Sequence, residues 1–463
     1  VTAPADPQND LAARSLRAVW HPCTQMRQLE DAPPLAIVRA EGPWLWAEDG
    51  GRQLDAISSW WVNLFGHGQP DIRRAIHEQL DRLEHVMLAG LTHEPVVRLS
   101  ERLAALTGLG HAHYGSDGAS ATEIALKMSV HAWRNRGQPG KTRFVALAGG
   151  YHGETLGALA VTDIPLLRDT YTALLRDATV LPSPDARQAA AGEDALAFAR
   201  RQALALEAHL AAHHAETAAL IVEPLIQCAG GMAMHHPEYL RLARELCTLY
   251  GVHLICDEIA VGFGRTGTLF AHWQAGIRPD FLCLSKGLSG GFLPLAVTLT
   301  TDEVFQAFYH HELRRGFLHS HSYTGNPLAC AAANAVLDRF EASDVMAANA
   351  ELAARIDAAA EALRRHPRVR HWRRTGMVWA FEVAADAAAA AGPAAAAAAA
   401  DAAGAARSGP GVGTRIARAA LRHGLLLRPI GDTVYWMPPY CLDDEAMRVL
   451  VEGTLGALEE ATA

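Results

Sequence analysis

Lys286 is the residue best placed to do chemistry in this chain. It follows an apolar run and is hemmed by small residues in Leu-Ser-Lys-Gly-Leu-Ser-Gly-Gly. Small neighbours let a bulky ligand approach the amine closely. An amine partly withdrawn from water has its pKa lowered and can form a Schiff base with a carbonyl. Alone, a lysine in a turn reads equally well as a surface residue. Asp257 ends another apolar run, His253-Leu-Ile-Cys-Asp, where an isolated carboxylate is costly to bury and calls for a cationic partner. A protonated pyridine nitrogen is such a partner, and a carboxylate held against it turns the ring into an electron sink. In Tyr114-Gly-Ser-Asp-Gly-Ala-Ser-Ala-Thr-Glu123 the residues Gly118, Ala119 and Ser120 open a helical run. Free amides and a hydroxyl there make an anion site, although an ordinary helix cap uses the same residues. Gly149-Gly-Tyr-His-Gly-Glu154 sets Tyr151 among glycines after a strand, an arrangement suited to stacking on a flat ring. Together the lysine, aspartate, helix start and tyrosine specify pyridoxal 5′-phosphate (PLP) far better than any one of them does.

These residues need elements to hold them. β-Rich runs stand at 143–147, 219–222, 253–256, 281–284 and 295–300, with helical stretches at 119–134, 193–213 and 237–250 between them. Strands alternating with helices predict an α/β fold with a mostly parallel sheet. Ligands in such sheets gather outside the carboxyl ends of the strands, where Asp257 and Lys286 stand. The spacing predicts an N-terminal part of a small domain over 1–65, a large domain over 66–334, and a C-terminal small-domain part over 335–463. That last part reads as helix, strand, helix, strand. The segment from Ala384 to Ala406 is almost entirely alanine, broken only by Asp386, Gly392, Pro393, Asp401 and Gly404. It is expected to be an exposed, poorly ordered insertion extending to about residue 410, without chemistry.

Composition narrows the function classes. The chain has 463 residues, half of them hydrophobic, and a net charge of −9. A sizeable core is therefore available, and a nucleic-acid or membrane-surface binder is disfavoured. No basic and apolar leader opens the chain, and no run suits a membrane span. The cysteines at 23, 228, 247, 256, 283, 330 and 441 offer no CxxC pair or zinc knuckle, which fits reduced thiols in a cytoplasmic protein. The doublets His213-His214, His235-His236 and His310-His311 lack the i, i+4 pairing of a metal site and are expected on the surface, so no metal is expected. Gly262-Phe-Gly-Arg-Thr-Gly267 spells a dinucleotide fingerprint and Gly287-Leu-Ser-Gly-Gly291 a nucleophile elbow. The first lacks the helix its third glycine should open, and the second is preceded by a lysine and followed by Pro294.

Asp257-Glu-Ile-Ala-Val-Gly-Phe-Gly-Arg-Thr-Gly267, followed by Pro279-Asp and Leu284-Ser-Lys286-Gly, resembles the signature of class III (subgroup II) PLP aminotransferases. The resemblance runs from about residue 17 to 455, apart from the alanine-rich stretch. It implies a type I PLP-dependent transferase fold, with a large domain around a mainly parallel sheet and a smaller α+β domain built from both chain ends. It further implies that Lys286 carries PLP, Asp257 pairs with the ring nitrogen, Gly118, Ala119 and Ser120 bind the phosphate, and Tyr151 covers the ring. Members are homodimers with shared active sites. His319-Ser-His-Ser-Tyr-Thr-Gly-Asn326 matches the segment one subunit lends the other, implying His321 and Ser322 as phosphate contacts and Ser320 as a substrate contact.

A narrower set of motifs resembles one branch of that family: Trp20-His-Pro22, Ser58-Ser-Trp-Trp61, His85-Val-Met87, Thr92-His93, Glu223-Pro with Gln227 and Gly230-Gly-Met232, Arg428-Pro, and Tyr435-Trp-Met-Pro-Pro-Tyr440. This resemblance implies ping-pong transfer of an amino group from S-adenosyl-L-methionine to 8-amino-7-oxononanoate. Cys23, Trp60, Trp61, Tyr151, Arg428 and Tyr435 would meet these substrates. Physically, Trp60 and Trp61 offer faces that cover hydrocarbon and attract a cation, although paired tryptophans are also ordinary core. Arg428, in the apolar run Leu-Leu-Leu-Arg-Pro-Ile, is expected to be too costly to bury without a substrate carboxylate. Relatives that use glutamate carry a Glu where this chain has Ala229, which weighs against a glutamate donor. The family usually has Tyr where Cys23 stands and Asp where Glu154 stands. Lysine as donor, another class III ω-aminotransferase, a lyase or mutase of the same fold, and a non-catalytic scaffold remain the alternatives.

Overall fold

The structure is a computed structural model that describes residues 10–384 and 411–463. Seven strands form its central sheet, in the order His111–Gly115, Ala296–Thr300, Phe281–Leu284, His253–Asp257, Thr217–Val222, Arg143–Leu147 and Thr179–Leu181. Only Ala296–Thr300 runs against its neighbours; the other pairings are parallel. Every residue of Thr217–Val222, His253–Asp257 and Phe281–Leu284 is buried, as strands covered on both faces require. The mostly parallel α/β sheet expected from the alternation is therefore present, with strand limits within two residues of those read from the sequence.

Helix Gly118–Asn135 starts where Asp117 accepts the Ser120 amide and presents Ala121, Ile124, Ala125 and Met128 to the sheet. Among the described residues, no helix is long and apolar enough to cross a membrane.

Both chain ends build the smaller sheets. Strands Ile37–Glu41, Trp44–Ala47 and Arg52–Asp55 form an antiparallel meander, joined in parallel by Leu425–Leu426. Val369–Thr375, Val378–Val383 and Thr433–Trp436 make a second sheet. Its core holds Trp379, Phe381 and Trp436, under helices Val412–Arg422 and Asp444–Thr462. The C-terminal part is thus not the simple helix, strand, helix, strand succession expected: a tight hairpin contributes two strands, and a long helix closes the chain. The alanine-rich insertion lies outside the described residues, except for Ala384. The Gly262–Gly267 segment is a run of turns and bends and opens no helix.

The hairpin turn at Gly376 ties this sheet to the segment after Asp257. Gly376 has φ +58°, and a Cβ there would sit 2.3 Å from the carbonyl carbon of Thr266, while the next amide, of Met377, donates to Arg265 O at 2.8 Å. Backbone on both sides leaves nothing flexible to yield. Gly376→Ala should lower stability by about 1–3 kcal/mol, read as a fall in the urea midpoint with an unchanged slope.

Candidate active site

The carboxyl ends of five parallel strands converge on one cavity of about 240 Å³. His111–Gly115 leads to Gly118 and Ala119, Arg143–Leu147 to Tyr151, Thr217–Val222 to Glu223, His253–Asp257 to Asp257, and Phe281–Leu284 to Lys286. All of these line the cavity, with Trp61 and His152. Lys286, Asp257, Tyr151 and the helix start, separated along the chain, are therefore brought together.

Asp257 is 4% exposed and has two protein donors. His152 Nδ1 lies 2.7 Å from one oxygen, and the Ile259 amide donates to the other at 3.1 Å. His152 follows the expected stacking tyrosine directly in sequence, the signal that could have revealed it; its Nε2 is buried without a hydrogen-bond partner. The Lys286 side chain is partly buried, and its pKa is pushed below the usual lysine value by desolvation, against the opposing pull of Cys228, Asp257 and Glu223. It lies 4.9 Å from the centre of the Trp61 ring. A lowered pKa favours the neutral, nucleophilic amine.

Glu223 is a second buried carboxylate, whose place in the site the sequence did not reveal. It accepts the amides of Tyr151 at 2.9 Å and Cys228 at 3.0 Å. Burial pushes its pKa up to about 7, with His152 opposing and Asp257 reinforcing the shift.

At the helix start, the Ser120 amide and hydroxyl both donate to Asp117, and Ser120 does not line the cavity. The amides of Gly118 and Ala119 remain without intrahelical acceptors, as the first turn dictates, and can face an anion. A Cβ on Gly118 would come within 2.9 Å of Ile259, so a larger residue would force that side chain to move. A partly buried amine, a buried carboxylate, an aromatic and a helix start around one cavity fit a flat, phosphorylated aldehyde with a protonated ring nitrogen, such as PLP.

A second cluster adjoins the first. The Tyr151 hydroxyl donates to Glu154 at 3.0 Å, and burial together with Glu154 raises its pKa. The thiol of Cys23 is raised by burial and by Glu154, while Arg428 opposes. Arg428 stacks 4.4 Å over Trp60 and donates to the Cys23 carbonyl at 3.2 Å. Arg428 is exposed, contrary to the burial its apolar neighbours suggested: strand Leu425–Leu426 ends before it, and the guanidinium leaves the core for the indole face. Tyr435 is buried and accepts the Trp61 indole N–H at 3.1 Å.

Ser58, Ser59, Trp60 and Trp61 all have positive φ, at 51°, 46°, 71° and 74°. Left-handed backbone costs an L-residue roughly 1–2 kcal/mol, so this turn stores strain where the two indoles are presented.

His319, Ser320, His321 and Ser322 do not line the cavity. Ser320 and Ser322 are exposed, and His319 joins Lys127 at 2.7 Å to His321 at 3.0 Å. Of the histidine doublets expected on the surface, His235 is buried, because its ring reaches the carbonyls of Glu223 and His236 at 3.3 Å.

Residues 26–458 match the family Aminotransferase class-III. The adenosylmethionine-8-amino-7-oxononanoate aminotransferase of Helicobacter pylori is 42% identical over 459 residues, covering 98% of each chain. The crystal structure of the enzyme of that name from Methanocaldococcus jannaschii superposes with a TM-score of 0.88 at 31% identity, covering 98% of this chain and 100% of the other. A PLP-bound amine transaminase from an uncultivated Pseudomonas species gives a TM-score of 0.87 at 31% identity, over 96% and 99% of the two chains.

Glu223 makes stability depend on pH. Its carboxyl is raised in the fold, so the folded chain keeps a proton that the unfolded chain releases above the ordinary carboxylate range. The stability it contributes is full below about 4.5 and is lost as pH rises through about 7. Glu223→Gln should flatten the pH dependence of the unfolding free energy in that window by up to about 1.4 kcal/mol per pH unit, measured by urea titration from pH 5 to 8.

Proposed function

The chain belongs to the class III aminotransferases, and we propose that it transfers an amino group from S-adenosyl-L-methionine to 8-amino-7-oxononanoate, forming 7,8-diaminononanoate in biotin biosynthesis. The observation that carries this reading is the paired surface beside the cofactor slot: Trp60 under the Arg428 guanidinium and Trp61 beside the Lys286 amine. One site has to accept in turn a sulfonium amino acid and a long apolar keto acid, and indole faces suit both. The near full-length relatives of that name support the same substrates.

PLP is the cofactor of class III aminotransferases; bound at Lys286, it supplies the electron sink that makes the donor Cα–H acidic. We assign the work of the protein as follows. Asp257, oriented by His152, holds the proton on the ring nitrogen. Gly118 and Ala119 offer amides to the phosphate, Ser120 keeps that turn capped through Asp117, and Tyr151 covers the ring. Lys286 would hold the cofactor through its Nζ until the incoming amine takes its place, and that Nζ, once free, would carry the proton off the donor Cα. In the second half-reaction it returns a proton to the carbon that was the keto carbon of the acceptor. Arg428 leaves the Cys23 carbonyl to pair with the acceptor carboxylate, and Cys23 and Tyr435 border the bound chain. We further assign a homodimer: Ser320, His321 and Ser322, outside their own cavity, would serve that of a second copy. The buried free thiols support a cytoplasmic location.

A donor screen against 8-amino-7-oxononanoate tests the function. S-adenosyl-L-methionine should give 7,8-diaminononanoate, while lysine, glutamate and alanine give at most a small fraction of that rate. Preference for lysine would overturn the donor, and no product from any donor would overturn the acceptor.

Lys286→Ala should lose essentially all turnover yet still bind PLP, since the phosphate and ring contacts remain. Borohydride should fix the cofactor covalently to the wild type and not to the variant, as intact mass would report. Near wild-type turnover by the variant would mean that another group moves the proton.

A further inference from the structure

The strained Ser58–Trp61 turn is braced from one side. Asp55 ends strand Arg52–Asp55 and is completely buried. One carboxylate oxygen accepts the Ser59 amide at 2.8 Å; the other accepts the Ser59 hydroxyl at 2.7 Å and lies 2.9 Å from His67 Nε2. Among the described residues no lysine or arginine forms an ion pair with it. A buried carboxylate persists only where donors satisfy it, and here two of its three donors belong to Ser59, at φ +46°. The Ser58 hydroxyl adds a bond to Met437 O at 2.7 Å, so the turn is held at both ends of its first half.

We propose that Asp55 is a positioning residue for both substrates: by clamping Ser59 it keeps the turn left-handed, and so keeps Trp60 under Arg428 and Trp61 beside the Lys286 amine. Reversing the sign of φ at these residues would redirect both indoles, because side-chain direction follows the backbone. The two contacts at stake measure 4.4 Å from the Arg428 guanidinium and 4.9 Å from the Lys286 amine to the ring centres. Asp55 itself lines neither cluster; it acts through the turn. The proposal rests on the function read above, since it takes the indoles as the surface on which donor and acceptor lie.

The test compares the Asp55→Ala holoenzyme with the wild type. KM for both substrates should rise about tenfold or more as the indole contacts are lost. kcat and the PLP dissociation constant should change less than KM, because Lys286, Asp257, Glu223 and the Gly118 helix start keep their places and Trp61 is the one residue of the slot that the turn carries. The near-ultraviolet circular dichroism of the tryptophans should change. In a Trp60→Ala background, Asp55→Ala should raise KM much less, since one indole it positions is gone. A folded variant with unchanged KM and unchanged tryptophan signal overturns the proposal, and so do fully additive effects. Should Asp55→Ala not fold, Ser59→Ala keeps the Asp55–His67 contact and removes one hydroxyl bond. It should then raise both KM values about two- to tenfold, and unchanged values overturn the proposal. A wild type inactive with this substrate pair would instead overturn the function, leaving the tryptophan signal to decide the brace.

Discussion

Asp257 has to carry a negative charge at the end of a strand that offers no water, and the cofactor slot is built around that constraint. Every other residue of its strand is apolar or buried, so the charge survives only through fixed donors. His152 and the Ile259 amide provide two. A second carboxylate in the same dry space makes matters worse. Glu223 responds by shifting up to about 7, and the Lys286 amine shifts down. Both shifts reduce the charge that the protein alone must keep in low dielectric. A cationic ring nitrogen brought against Asp257 completes the balance.

The substrate-facing cluster depends on a different fact: both chain ends meet in one small sheet. Leu425–Leu426 pairs with Arg52–Asp55 in parallel, so the two strands deliver their following residues on the same side. One leads to the left-handed turn with Trp60, the other to Arg428. Cys23, nearer still to the N-terminus, closes the group through its carbonyl. Residues some four hundred positions apart thus become neighbours by strand pairing, and the strain in the turn is supported by Asp55 and Met437 from the two ends of the chain.

Much of this was legible because it is periodic or chemically costly. Buried parallel strands read as apolar runs, and a lysine and an aspartate at the ends of two of them cannot be accidental core. The family signature then tied Gly118, Ala119 and Tyr151 to the same cofactor. What the sequence could not show were partnerships made through space. The place of His152 directly after Tyr151 marks it as a neighbour of the site, but its bond to Asp257 is made through space and is not written in the sequence. Glu223 stood out only as part of a motif, since its two amide donors come from separate loops. Arg428 was misread as buried because local hydrophobicity reports a residue's neighbours along the chain, whereas the long side chain can carry its charge away from them. The positive φ values of Ser58 to Trp61 have no signature at all; glycine would have announced them, and serine and tryptophan do not.

The absence of an acidic residue at Ala229 gains a physical meaning from the contacts of Arg428. An arginine held by a carboxylate must break an ion pair before it can bind a substrate acid, and a donor that needs the arginine uncovered then pays for that separation. Here the guanidinium rests on an indole face and a backbone carbonyl, both neutral. Such partners orient it, yet they would give way to a substrate carboxylate, because a charge-assisted, two-pronged bond is stronger than either. Both substrates carry a carboxylate, the sulfonium donor's on its amino-acid end, so in either half-reaction the arginine would have only neutral partners to leave. Alternation between the two substrates would therefore require no acidic switch residue at position 229, only a strained turn that keeps the indole where the arginine can return to it.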